Sequence, residues 1–255
     1  MDFSNINLYK EDELNYLEEN INLVLDEAEQ AVSNPLQQFH IAKILHRLKP
    51  NNPKTGEILG KIVLSSNVDN SRAAIEALHA MAPHAIESMP ALTQKLKDYS
   101  GSDNEEGLEY LAVTLGAYGE LAHETLPCLR EFMNSSQCLP DMIAAAIAII
   151  CIDESGKDAL AKLYDLLRDS NMDDWHEEIL CSLTLAGKKA SLLEPQIKCF
   201  IESPKLDIFY CALKAWCQVN PDNVETAKSI YQCRKSTITP KHWCIRLLDE
   251  YFKTV

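Results

Sequence analysis

The sequence predicts an all-α fold, a right-handed α-solenoid of about six helical hairpins closed by a capping helix at each end. Three observations carry that expectation. Gly is scarce, 8 in 255 residues, whereas sandwiches and barrels need many turn residues between short β-branched strands. Apolar residues recur at i, i+3, i+4 and i+7 rather than alternating. An internal unit also recurs along the chain, and self-similarity at a fixed period marks a repeat architecture.

The clearest unit is Ala73-Ala74-Ile75-Glu76-Ala77-Leu78-His79-Ala80-Met81-Ala82-Pro83 followed by Ser88-Met89-Pro90-Ala91-Leu92. It returns as Tyr110 to Gly119 with Thr125-Leu126-Pro127-Cys128-Leu129, as Ala145 to Cys151 with Ala161 to Leu167, and as Leu180 to Gly187 with Leu193-Glu194-Pro195. Weaker copies flank these, Ile41 to Leu48 with Glu57 to Val63, and Cys211 to Trp216 with Val224 to Ile230. Between the matching residues 45, 78, 115, 149, 183 and 213 the spacings are 33, 37, 34, 34 and 30.

Each copy reads as two helices. The first carries an apolar stripe such as Ile75, Leu78, Met81 and Ala82. The second opens with proline in its first turn, where a missing N–H costs nothing. Ala82, Gly116, Gly119 and Gly187 are expected to end first helices or let neighbours approach closely. One hairpin cannot bury its own apolar face, so neighbours must stack. The third copy departs from the pattern, with Ala161 in place of the proline.

The ends read as caps. Residues 9–31 form one amphipathic helix with Leu14, Leu17, Ile21 and Leu25 on a single face, and Thr239-Pro240-Lys241 opens a last helix through Trp243 and Tyr251. The expected organisation is one domain over 1–255: an acidic N-terminal cap over 1–35, repeats over 36–232 and a C-terminal cap over 233–255. Of 18 aromatic residues, 8 lie at or beyond Phe200, which suits sealing the end of a core.

The repeat resembles HEAT repeats, in particular the short variety of phycobilin-lyase-like proteins, over roughly residues 36–232. That resemblance implies a scaffold fold and says little of function. It also raises enzymatic alternatives: a HEAT-like metal hydroxylase, a phycobilin lyase or a DNA glycosylase.

Chemistry-bearing motifs are few. Phosphate-binding glycine loops, the nucleophile elbow and the zincin helix are absent from the sequence. HEAT-like deoxyhypusine hydroxylase places His-Glu pairs at the starts of first helices, and His176-Glu177 occupies such a start. The equivalent positions elsewhere are Ser71-Arg72, Leu108-Glu109 and Met142-Ile143, and His123-Glu124 precedes a second helix instead. One repeat cannot supply the convergent ligands of a di-iron site. The bland alternative is that Asp173 or Asp174 caps the helix while Glu177 and Glu178 complement its dipole.

Nine cysteines without C-x-x-C spacing, and no basic or apolar leader in Met1-Asp2-Phe3-Ser4-Asn5, are read as reduced thiols in a cytoplasmic protein. The longest apolar run, Met142 to Ile152, is too short to span a bilayer. No catalytic residue, metal site or cofactor is expected.

Charge supplies the functional expectation. Against 24 Lys and Arg stand 38 Asp and Glu, a net −14, which repels nucleic acid and attracts basic surfaces. Residues 98–129 hold seven carboxylates and no Lys or Arg, the reverse of a phosphate-gripping groove. Nine carboxylates and one lysine occupy residues 1–30. The expected function is a non-enzymatic scaffold or adaptor for a basic protein partner, in concrete form an immunity-type inhibitor of a basic toxin; a subunit of a larger assembly is the other non-enzymatic reading. Partner-binding residues are expected among Glu11, Asp12, Glu18, Glu19, Glu106, Glu109, Asp173, Asp174 and Glu177.

Overall fold

The structure, a computed structural model, describes residues 3–99, 108–153, 155–236 and 242–254. Among the described residues every regular element is helical. The chain forms two compact units, residues 1–153 and 154–255.

The first unit runs α1 (Glu11–Glu19), α2 (Ile21–Ala31), α3 (Pro35–Leu48), α4 (Pro53–Val63), α5 (Val68–Met81), α6 (Met89–Tyr99), α7 (Leu108–Ala117), α8 (Leu126–Ser135) and α9 (Leu139–Ile152). Helix starts are written into it plainly. Asn34, Asn52 and Asn67 accept hydrogen bonds from the backbone N–H groups of Leu36, Lys54 and Asn70, so each caps a first turn. Pro35 and Pro53 follow two of these caps directly.

Packing alternates along the chain. Helix α3 lies on α5, α5 on α7 and α7 on α9, while α4 lies on α6 and α6 on α8. The innermost element is α9, whose residues 143–150 are all buried. A helix apolar all round must be enclosed, and its run of Ile and Ala meets that demand. A buried polar knot ties the entry: Gln38 donates to the carbonyl of Val32 and accepts from Ser65 and Asn70, and Asn70 also donates to the Pro35 carbonyl. Every partner in that knot is satisfied, so it fixes how α3 meets α5 without an uncompensated polar group.

The single helix expected over residues 9–31 is instead two. Asn20 breaks it: its backbone leaves the helical region, and its side-chain amide donates to the Tyr16 carbonyl at 2.8 Å. Asn competes for backbone acceptors in this way, which is why it is a poor interior helix residue.

The second unit contains α10 (Lys157–Arg168), α11 (His176–Ala186), α12 (Glu194–Phe200), α13 (Leu206–Val219), α14 (Val224–Lys235) and α15 (Trp243–Thr254). Here α11 packs on α13, α12 on α13, and α13 on both α14 and α15. Glu194 binds the start of α12 to the end of α13, accepting from Trp216 Nε1, Asn220 and Asn223. Those donors, Asn223 foremost, hold its carboxyl below the usual range. Arg234 donates to the carbonyls of Ile201 and Ser203 and lies over the Phe209 ring at 4.1 Å.

The expected prolines fall in the first turns of α6, α8 and α12, and α10 begins without one. Gly187 ends α11 at φ +53°, in the region that disfavours side chains. Thr239-Pro240-Lys241, expected to open the last helix, lies outside the described residues.

Candidate functional site

Acidic side chains are sorted by the fold into paired and unpaired sets. On α1 only Leu17 is buried, so the helix presents nearly its whole circumference. Glu11, Asp12 and Glu13 stand in its first turn, where the helix dipole favours them. Glu13 is occupied, accepting from the Asn7 backbone and pairing with Lys10 at 3.0 Å, and both contacts lower its pKa. Asp26 and Glu29 on α2 are also occupied, both by Lys54 from α4 at 2.7 and 2.6 Å.

Glu11, Asp12, Glu18 and Glu19 are exposed and make no ion pair among the described residues. Asp12, Tyr16 and Glu19 share one stripe at helical spacing. Tyr16 is 52% exposed and Tyr9, just before the helix, is 99% exposed. At the end of α1 a cleft of about 320 Å³ is lined by Glu18, Ile21, Asn22, Leu48, Pro50, Asn51 and Asn52. Asp12 and Glu19 thus flank Tyr16, while Glu11 and Glu18, seven residues apart, form an adjoining row on the same helix.

The remaining acidic candidates are placed separately. Glu106 lies outside the described residues. Glu109 is exposed in the first turn of α7. Its backbone N–H donates to Asp141, a buried carboxylate on α9 whose pKa is raised by burial and by the charge of Glu109. Asp173, Asp174 and Glu177 are exposed around the entry to α11.

Neither Asp173 nor Asp174 caps α11, contrary to the bland reading of that segment. A 3₁₀ turn over Ser170–Trp175 runs straight into the helix, Trp175 holds the cap position, and Asp169 caps the 3₁₀ turn. Glu177 and Glu178 do occupy the first turn of α11 as expected. The His176 ring is buried, packed 4.6 Å from Phe200, with Nδ1 at 3.5 Å from Asp173. His123 is exposed on the 3₁₀ turn Gly119–Thr125.

Two other groupings were passed over in the sequence. Asp207, His242 and Cys244 place one donor atom each within 4.8 Å of one another. Burial, then the adjoining Asp207, pushes the Cys244 thiol up to about 12. Cys181 on α11 and Cys211 on α13 bring their sulfurs to 2.6 Å. The adjacency of His242 and Cys244 is visible in sequence; Asp207 is not, standing 35 residues earlier.

Comparison of the chain with protein-family models, curated proteins and solved structures gives no match. No helix among the described residues is long and apolar enough to cross a membrane.

Proposed function

We propose that this chain is a non-enzymatic, cytosolic α-solenoid of about six HEAT-like hairpins that binds a basic protein partner, with α1 as the docking element. The successive packing of α3, α5, α7 and α9, and of α4, α6 and α8, supports the solenoid reading for the first unit. Packing of α11 on α13 supports it for the second. Free cysteines, several of them buried, suit a reducing compartment.

The observation that carries the partner reading is the two neighbouring rows of unpaired carboxylates on α1, Asp12 and Glu19 beside Tyr16 and Glu11 with Glu18 next to them. Paired acids such as Asp26 and Glu29 are already neutralised by lysines of the same fold, and these four are not. An acidic patch raises association rates with basic surfaces and sets specificity more than it sets raw affinity. Exposed tyrosines supply the amphipathic contact area that interface centres favour. The cleft beside Glu18 is of a size to receive a Lys or Arg side chain. An immunity-type inhibitor seated on a basic toxin is the concrete form of this function.

The test begins with recovery of the partner from native cytosol at low salt, followed by association kinetics with that purified partner. Neutralising Glu11, Asp12, Glu18 and Glu19 together as Gln and Asn is expected to slow association about tenfold or more at low ionic strength. Raising salt is expected to slow the unaltered chain similarly. Rates that ignore both salt and the four substitutions overturn the reading.

A further inference from the structure

We propose that Asp207, His242 and Cys244 form a Zn²⁺ site that fastens α15 to the start of α13. The three residues offer one oxygen, one nitrogen and one sulfur donor, all within 4.8 Å of one another. Zinc is bound by such mixed sets, with Zn–S about 2.3 Å and Zn–N and Zn–O about 2.0 Å. Tetrahedral angles then separate a sulfur from an oxygen ligand by about 3.5 Å. The Cys244 thiol donates to Asp207 Oδ1 at 3.4 Å, which already sets the two donor atoms at that separation.

A second observation concerns the imidazole. His242 Nδ1 is buried and has no hydrogen-bond partner among the described residues, and buried polar atoms are seldom left so. A cation held by the imidazole through Nδ1 would give that nitrogen a partner. Charge closes as well: one carboxylate and one thiolate neutralise a divalent ion, so the half-buried site carries no net charge. Thiolate and imidazole together favour zinc over the hard cations Mg²⁺ and Ca²⁺. On binding, Cys244 yields its thiol proton to solvent and the freed sulfur lone pair bonds the metal. Three protein ligands leave a fourth position for water.

The experiment uses the full chain, fully reduced, stripped with a chelator and titrated with Zn²⁺ by calorimetry. Co²⁺ then reports thiolate ligation by its charge-transfer absorption. One ion per chain is expected, with the cobalt–thiolate band. Cys244→Ser and His242→Ala are each expected to weaken binding at least about 100-fold, beyond the roughly 10–100-fold brought by losing a ligand's supporting hydrogen bond. The double variant Cys181→Ser/Cys211→Ser is expected to keep the site. Far-ultraviolet circular dichroism of the stripped variants checks that they fold. Failure of the stripped chain to bind zinc, binding indifferent to His242→Ala and Cys244→Ser, or loss with the Cys181/Cys211 pair each overturns the proposal.

The other sulfur pair carries an independent inference: Cys181 and Cys211 are a disulfide-forming couple linking α11 to α13. Each stands two residues before a matching repeat leucine, Leu183 and Leu213, so equal register sets them side by side. Their 2.6 Å separation lies well inside non-bonded sulfur contact, and a small side-chain movement reaches bonding distance. Cys181 is exposed and its pKa is lowered by the hydrogen bond from Cys211, whose own thiol is pushed up. Cys181 thus attacks hydrogen peroxide, becoming a sulfenic acid and releasing water. The Cys211 sulfur then displaces hydroxide, which leaves as a second water with the Cys211 proton.

Peptide mapping after mild peroxide treatment is expected to find this cystine first among the nine cysteines. In Cys211→Ser a dimedone-trapped sulfenic acid at Cys181 is expected instead. Oxidation distributed evenly over the exposed cysteines, or no dimedone adduct in that variant, overturns it.

Discussion

Gly116→Val is expected to destabilise the unit of residues 1–153 by about 3 kcal/mol, the upper end of the overpacking range. A Cβ at position 116 would stand 2.9 Å from the Ala148 Cα and 3.2 Å from its Cβ. The first of these atoms is backbone in a helix buried on every side, so nothing there can swing away. Replacing a helical glycine ordinarily gains up to about 1 kcal/mol in propensity. The steric term is larger and of opposite sign, and valine's branching withholds most of the propensity gain. Gly119 provides the contrast. It needs its glycine for φ +57°, and a side chain there meets open space. Gly119→Ala is therefore expected to cost about 1 kcal/mol, from strain alone. Urea unfolding followed by circular dichroism separates the two, and equal midpoints for Gly116→Val and the unaltered chain would refute the close approach of α7 to α9.

Tyr231→Ala is expected to remove about 3–5 kcal/mol from the unit of residues 154–255. Tyr231 is fully buried, stacked on Phe252 at 5.6 Å between centroids. Its hydroxyl lies 3.0 Å from the Ile245 carbonyl and 2.9 Å from Asp249, which also pairs with Lys235. Burial, reinforced by Asp249, raises the phenol above its ordinary range. Tyr231→Phe keeps the stacked ring and loses one hydrogen bond, so about 1 kcal/mol is expected. The difference between the two variants, read from thermal unfolding, measures how far the ring rather than the hydroxyl holds α15. Equal shifts would sink the packing account.

Much of the helix grammar was legible in the sequence, because capping and proline placement are local. Asn34-Pro35 and Asn52-Pro53 name their helix starts without reference to the rest of the chain. Pro90, Pro127 and Pro195 do the same for second helices. Breaks decided by one side chain were harder to see. Asn20 interrupts an otherwise continuous apolar stripe, and hydrophobic period alone does not register a competing amide. Asp173 and Asp174 look like caps by residue type, yet a 3₁₀ turn displaces them from the position where a cap acts.

The acidic surface was legible in sum and not in detail. Nine carboxylates in thirty residues announce a charged end, but Lys54 and Lys61, which neutralise Asp26 and Glu29, arrive from another helix. Long-range groupings behave the same way. Asp207 meets Cys244 only because α13 and α15 pack. The Cys181–Cys211 pair is the exception, since its spacing of 30 equals that of the last repeat interval and reads directly from register.

The break at Asn20 has a thermodynamic side. A helix of nine residues is too short to persist in water by itself, and α1 commits one buried leucine to the rest of the fold. Phe3, on the far side of α1, is buried and donates its backbone N–H to Gln37 of α3, so α1 is held at its two ends more than along its length. A partner that grips the unpaired carboxylates would then pull on a strap fastened at Phe3 and Asn20. Part of its binding free energy goes to holding that strap still, and this sets a ceiling on affinity that tightening the strap, rather than adding charge, would raise.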